Sequence, residues 1–364
     1  MHSIPASLRR LGAFWFAWLA ATAALLAQPT VTTDSGTLSY TENSAASAVS
    51  PGLTLSAGTP PVFFATVTIS VNLASGEDIL SFTNDGSTMG NIAAGAYDSS
   101  TGVINLFSSG SSASVSEWQS ALRAVRYSNS SDNPSTATRT VSFVVQDGGG
   151  QNSPAMRDIA ITAVNDGPVN TVPGAQTMNM NTSRTFSSGN SNLISIADVD
   201  ANSGNLQITL TATNGTVALN AGATGSLATL SGNGTGSVVF TGTLANLNNA
   251  LNGLAFTPMS GYFGAASLQI ATNDQGNTGT GGAQTDTDTV NITVNSVAPT
   301  VTSVSASTAN GSYKIGDTIS VTVAFSQAVT VSGNVYLPAA GAIVSAPLNF
   351  GTVQVDWGAT DPVV

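Results

Sequence analysis

The chain is predicted to be all-β, a tandem of antiparallel β-sandwich domains in which each of the first two carries one short helix. Three observations lead there. Apolar residues make up 41% of the chain and charged residues only 7%, so there is enough to bury a core and the segment is not a disordered linker. Val, Ile, Leu and Phe alternate with Thr and Ser over short runs, the period of two expected of strands with one buried face. A long segment also recurs: residues 121–127 align with Ala250-Leu251-Asn252-Gly253-Leu254-Ala255-Phe256. A period of about 130 residues is too long for a solenoid unit and marks tandem domains.

The first stretch, residues 1–27, reads as an export leader. Arg9 and Arg10 precede an apolar run with Phe14, Trp15, Phe16 and Trp18, and Ala27 before Gln28-Pro29 is a cleavage point. Left uncleaved, it would be an N-terminal anchor and the chain's membrane contact. No other apolar run is long enough to span a bilayer. The absence of Cys removes disulfides and a lipoprotein anchor, so stability must come from core burial, with bound metal open as a further source. The expected location is secreted or on the cell surface.

In residues 28–166, Val67, Ile69 and Val71 alternate with Thr66, Thr68 and Ser70. Strands at Ile79-Leu80-Ser81-Phe82 and at 102–106 follow. The period then changes: Val115, Trp118, Ala121, Leu122 and Val125 fit a short helix, capped by Ser114 or Ser116 with Glu117 in its first turn. Val141, Phe143 and Val145 resume strand spacing, 147–150 form a loop, and a strand to Val164 closes the domain. Residues 167–297 repeat the plan, with Leu206, Ile208 and Leu210 on a strand, Thr243 capping a helix over 244–251, and a closing strand at 290–294. Residues 298–364 open a third set of strands. They are too few for a full cysteine-free sandwich, so a partial module is expected.

Between the first two domains lies Val164-Asn165-Asp166-Gly167-Pro168. By residue type it is a turn, because Asp and Gly accept kinked backbone and Pro stops a ladder. Its carboxylate, amide and carbonyl oxygens equally suit a calcium ion. The sequence leaves both open.

This linker, the helix motif around Ala121-Leu122 and Ala250-Leu251, and the strand from Phe143 to Asp147 resemble the cadherin-like tandem repeats of bacterial surface proteins and adhesins. Ala197-Asp198-Val199-Asp200 and Thr272-Asn273-Asp274-Gln275-Gly276 fit the same style. Tyr313-Lys314-Ile315-Gly316-Asp317 resembles the opening of a bacterial immunoglobulin-like module, a pattern followed to about Gly333. The resemblance covers most of residues 31–333 and is specific to a repeat class, not to a ligand. It implies cadherin/Ig-like sandwiches with calcium at the junction. Carried over, Glu42 is the first ligand, Asn165 and Asp166 the linker pair, Asp198 and Asp200 the paired acids, and Asp274 the last. Two departures, Ala163 where the pattern wants an acid and no Asp-Arg-Glu triplet in the first domain, imply one weaker ion rather than a multi-ion cluster. The next junction, Val294-Asn295-Ser296-Val297-Ala298-Pro299, carries no acid, so metal is not expected there. Each acid also has a plainer role open to it: Asp166 as a turn former, Asp198 and Asp200 on a solvated loop.

Three functions are open to such a chain. The first is an exported structural or adhesive repeat protein, its partner a surface glycan or protein, with self-association as an alternative. The second is a carbohydrate- or ligand-binding accessory protein, for which Tyr97, Tyr262, Phe263, Tyr313 and Trp357 are the candidate aromatics. The third is an enzyme. Beyond the leader there is no His, no Cys and the single Lys314, which removes Ser-His-Asp and Cys-His chemistry; the reading is not an enzyme. A formal charge of −11 without a basic patch argues against nucleic acid.

Overall fold

Alternating apolar residues build the strands largely where the sequence places them. The computed structural model describes residues 26–306, 309, 320–330, 334–336, 343–345 and 349–356. The leader expected over 1–27 lies outside the described residues as far as residue 25, as do Tyr313 and Trp357. The chain divides into two compact units. One comprises Met1–Pro168 with Asp198–Gly204 and Asp274–Gln284; the other comprises Val169–Ala197, Asn205–Asn273 and Thr285–Val364.

The first unit runs through β1 (Thr30–Thr32), β2 (Thr37–Thr41), β3 (Ser47–Ala48), β4 (Thr54–Ser56), β5 (Phe64–Val71), β6 (Asp78–Ser81), β7 (Ile92–Ala94), β8 (Val103–Ser108), α1 (Val115–Arg123), β9 (Arg126–Asn129), β10 (Arg139–Asp147), β11 (Gly150–Gln151) and β12 (Ala155–Thr162). Its main sheet has the order β2-β12-β10-β5-β8-β7, with β11 hairpinned onto β10. A second sheet, β3-β9-β6, and the pair β1-β4 complete the sandwich. Val67, Ile69 and Phe143 of the main sheet, Leu80 and Tyr127 of the second, and Trp118 and Leu122 of α1 share one core. The rings of Tyr40 and Tyr127 meet edge to face at 5.1 Å. The Trp118 indole donates to the Val62 carbonyl (2.9 Å), so its one polar atom is satisfied inside the core.

Helix α1 starts on Ser114, one of the two caps the sequence allows. The Ser114 hydroxyl accepts from the Glu117 amide while the Glu117 carboxylate accepts from the Ser114 amide. This reciprocal box satisfies two of the amides that a helix start leaves open. Strand β12 ends at Thr162, earlier than the predicted Val164. Ala163 and Val164 leave the ladder, and Val164 instead bridges Thr280 in parallel.

The second unit repeats the arrangement with β13 (Val169–Thr171), β14 (Gln176–Asn179), β15 (Arg184–Phe186), β16 (Ser195–Ala197), β17 (Asn205–Thr213), β18 (Gly215–Ala218), β19 (Thr229–Ser231), β20 (Ser237–Thr243), α2 (Leu244–Leu251), β21 (Leu254–Pro258), β22 (Gly264–Asn273) and β23 (Thr285–Asn295). Its sheets, β14-β23-β22-β17-β20-β19, β15-β21-β18 and β13-β16, match those of the first unit strand for strand apart from β11, which has no counterpart. In both, the first strand of the main sheet lies parallel to the last, β2 beside β12 and β14 beside β23. The aligned residues Ala121 and Ala250, and Leu122 and Leu251, are all fully buried. Thr243 occupies the N-cap of α2 as predicted, but its side chain makes no capping bond. It is also the last residue of β20, paired with Asn205. Beyond it, β24 (Val301–Ala306), β25 (Ser320–Thr330), β26 (Asn334–Tyr336), β27 (Ile343–Ser345) and β28 (Asn349–Asp356) form a sheet β24-β25-β28 and a pair β26-β27.

The two caps therefore separate in mutation. Ser114→Ala is expected to cost about 1 kcal/mol, and Thr243→Ala distinctly less, in midpoints of urea unfolding. Leu122→Ala and Leu251→Ala should each cost about 2–5 kcal/mol; a loss near zero at either would remove it from the core.

Candidate metal centre

The centre is built by strand ends. Glu42 directly follows β2, and its amide donates to the Thr162 carbonyl (2.9 Å), one residue past the parallel ladder. One of its carboxylate oxygens, Oε2, accepts from the Val164 amide (2.8 Å). The first strand thus hands Glu42 to the linker, although they are far apart in sequence. Glu42 is only 4% exposed, and its other oxygen, Oε1, is buried without a hydrogen-bond partner.

Beside it stand Asp166 and Asp132, with ligand oxygens of the three residues all within 4.8 Å of one another. Asp132 is the residue that sequence reasoning missed. It lies on the connection from β9 to β10, in Asn129-Ser130-Ser131-Asp132-Asn133. A search for an Asp-Arg-Glu triplet passes over it, but a lone carboxylate in the loop after the helix-and-strand motif was a signal.

The paired acids adjoin this trio. The Asp166 amide donates to Asp200 Oδ2 (3.2 Å), and the Asp200 amide donates to Asp198 Oδ1 (3.2 Å). Asp166 Oδ2 and Asp198 Oδ2 are both buried and unpartnered. Asn165 and Asp274 are placed differently. The Asn165 amide nitrogen donates to Asp274 Oδ2 (2.6 Å) and to the Gly282 carbonyl (3.1 Å). Asp274 Oδ1 accepts from the amides of Gly276 and Gln284, each at 2.8 Å. Both oxygens of Asp274 are therefore satisfied. Of the six residues chosen from sequence, Glu42, Asp166 and Asp198 each keep a buried oxygen without a partner, Asp200 accepts from the Asp166 amide, and Asn165 and Asp274 lock each other. All six belong to the first compact unit.

The electrostatics match the geometry. Burial raises the Glu42 pKa, and the charges of Asp166, Asp132 and Asp200 add to the rise against the Val164 amide. Burial likewise raises Asp166, with Asp132 and Asp200 adding repulsion. Asp198 is pushed up to about 6, first by burial, then by its carboxylate contact with Asp200 and the Asp200 and Asp274 charges. Among the described residues the ion pair is Arg139 with Asp78, and no Lys or Arg is paired with Glu42, Asp166 or Asp198. Carboxylates gathered out of water without a counter-charge resist ionisation, and a cation or protons would relieve them.

The second unit has the same backbone and different chemistry. The Met180 amide donates to the Asn295 carbonyl (2.9 Å), as Glu42 does to Thr162. Asn43 and Asn181, the next residues, share the left-handed conformation (φ 58° and 59°). A thioether therefore stands where the first unit has its buried carboxylate. The candidate aromatics also sort themselves. The Tyr97 hydroxyl donates to the Asp78 carbonyl (2.8 Å), and that of Tyr262 donates to the Ala265 carbonyl. Phe263 stays 61% exposed. Among the described residues, no helix is long and apolar enough to cross a membrane.

The raised carboxylates give a pH signature. A group raised from 3.8 to about 6 holds a proton in the folded chain that the unfolded chain has released, so the cation-free fold gains stability as pH falls through that window. Asp34, Asp98 and Glu117, with pKa values below their ordinary ones, lose stability only at more acidic pH. With EDTA present, melting at pH 5 should therefore lie above melting at pH 7, and Asp198→Asn should shrink the gap. Equal midpoints would contradict the electrostatic account.

No family model matches the chain, and no curated protein matches it. Several solved structures are similar at low identity. Human mucin-like protocadherin EC1-2 shares 14% identity over 74% of this chain and 98% of its own, with a TM-score of 0.29. Protocadherin gamma B2 extracellular cadherin domains 1–5 share 14% over 92% of this chain and 54% of theirs, with a TM-score of 0.33. The C-terminal domain of the Streptococcus pyogenes antigen I/II-family protein AspA shares 9% over 74% of this chain and 100% of its own, with a TM-score of 0.22. The neighbours are thus cadherin domains and a bacterial surface-adhesin domain, all weakly similar.

Proposed function

We propose that this chain is an exported structural or adhesive repeat protein whose first linker is fixed by calcium. The observation that carries the reading is Glu42: a carboxylate 4% exposed, with one oxygen unpartnered, facing Asp132 and Asp166 within 4.8 Å. Unpaired buried charge is costly, and such a group persists where something else compensates it. The donors are all oxygen, with no imidazole or thiolate, which suits a hard cation of high coordination number and not zinc. Glu42, Asp132, Asp166, Asp198 and Asp200 would hold the ion directly. Asn165 and Asp274 would brace the linker through their mutual hydrogen bond. Held in this way, residues 164–168 would lose the freedom of a flexible hinge, a property useful in a protein that bears load or presents a binding surface.

The test is a melt of the full chain in EDTA and then in millimolar calcium. An ion at 100 times its Kd adds about 2.7 kcal/mol of stability, and Asp166→Ala should abolish the shift. Glu42→Gln separates charge from contact: it should raise the melting temperature in EDTA and reduce the calcium response. No calcium shift in the unaltered chain would end the metal reading.

A second reading, glycan binding, has one observation in its favour. Phe263 is exposed and shares a cleft with Asn181, Ser260 and Ser296, an aromatic face beside neutral hydrogen-bonding groups. A glycan array with the full chain and with Phe263→Ala tests it, and binding that survives the substitution would place any sugar site elsewhere.

A further inference from the structure

Beneath the loop that carries Asp132 lies a fully buried charged cluster. Asp78 and Arg139 are each 0% exposed, and Arg139 Nε donates to Asp78 Oδ2 at 3.0 Å. The Ala74 amide donates to the same oxygen (2.7 Å). The Tyr127 hydroxyl (2.5 Å) and the Asn129 amide (2.8 Å) donate to Asp78 Oδ1. A buried ion pair is weak evidence for a stability role, since burying both charges costs much of what their attraction returns.

The cluster grips the connection between β9 and β10 at both ends. At the start, Asn129 Oδ1 accepts from the Ser131 amide (2.9 Å), and the Tyr40 hydroxyl accepts from the Asn129 amide (3.2 Å). At the far end, Arg139 Nη1 donates to the carbonyls of Ser135 (2.7 Å) and Ala137 (2.6 Å). Asp132 is suspended between these two anchors. The tip is tied as well, with Asn133 Nδ2 donating to the Val199 carbonyl and to Asn202 Oδ1, each at 3.2 Å.

The second unit supplies an internal comparison. By strand register, Asp78 faces Asn129 and Leu80 faces Tyr127; in the repeat, Gly215 faces Pro258 and Val217 faces Phe256. Asp78, Tyr127 and Asn129 thus correspond to Gly215, Phe256 and Pro258, and Tyr40 corresponds to Met178. A Cβ on Gly215 would lie 2.5 Å from the Phe256 ring, so no acid fits there. The unit without this network follows its strand with Met259-Ser260-Gly261, which has no carboxylate, and has Met180 in place of Glu42. The fold is made without the network; the network accompanies the acidic loop.

We propose that Asp78, Arg139, Tyr127 and Asn129 are positioning residues that hold Asp132 in the cation centre. The inference rests on the calcium reading above. Groups behind a ligand fix its orientation, and their loss weakens metal binding with every ligand still present.

Calcium titration of the full chain by calorimetry, paired with melts in EDTA, tests it. The variants are Tyr127→Phe, Asn129→Ala, Asp132→Ala and the double variant Tyr127→Phe/Asp132→Ala. Tyr127→Phe keeps the ring and removes the hydroxyl. It and Asn129→Ala should each raise the calcium Kd by about tenfold or more, while Tyr127→Phe adds nothing once Asp132 is gone. A lowered melting temperature with unchanged Kd would make the network purely structural and overturn the proposal. So would equal weakening in both backgrounds, because the effect would not then pass through Asp132. If the unaltered chain takes up no calcium, the metal reading itself falls, and the proposal with it.

Discussion

The parallel pairing of β2 with β12 is the constraint on which the centre depends. The two strands lie side by side and run the same way, Thr37 opposite Asp158 through Thr41 opposite Thr162. Residues that follow each strand therefore emerge together at one end of the sheet. Glu42 leaves β2 where Ala163 and Val164 leave β12, and the Val164 amide is caught by the Glu42 carboxylate. An antiparallel pairing would have sent Glu42 to the opposite end of the unit. The early end of β12 follows from the same competition, because Val164 exchanges ladder partners for Thr280.

That geometry concentrates negative charge where water is scarce. Ordinary surface acids in this chain are stabilised by local donors: Asp85 is drawn down to about 2 by Thr88 and neighbouring amides, at no cost in burial. Glu42, Asp166 and Asp198 are shifted the other way. Folding pushes these carboxylates together, and either a proton or a cation relieves the opposition between fold and charge. Asp147 is an instructive contrast. It is 2% exposed, yet it accepts from the amides of Gly58, Thr59 and Gly149. Asp147 is buried with its oxygens supplied by amides, whereas Glu42, Asp166 and Asp198 each keep a buried oxygen without a donor.

The two units show how one backbone plan carries two chemistries. Tyr40, Glu42, Asp78, Tyr127 and Asn129 in the first unit become Met178, Met180, Gly215, Phe256 and Pro258 in the second. The replacements carry no polar side chain that needs a partner, and the Phe256 ring closes over Gly215, so the sheet order survives the exchange. What is lost is the polar scaffold behind an acidic loop. The fold is thus set by the shared pattern of buried apolar positions, and the site by the few polar positions that differ.

The sequence by itself determined the fold class, the tandem repeat and both helices, and narrowed the first cap to Ser114 or Ser116, because each of these is written in local periodicity and in the residue types at helix ends. It also pointed, through family resemblance, to Glu42, Asn165, Asp166, Asp198, Asp200 and Asp274 as a cation's ligands. It did not reveal that Asp132 stands beside Glu42 and Asp166, because that placement depends on a loop being folded against strand ends remote in sequence. Nor did it show that Asn165 and Asp274 bind one another, that Thr243 fails to cap, or that Arg139 and Asp78 are paired in the core. Those outcomes belong to tertiary structure: spacing along a chain fixes which residues share a face, but only strand pairing decides which side chains meet across it and which of their oxygens are left without a donor.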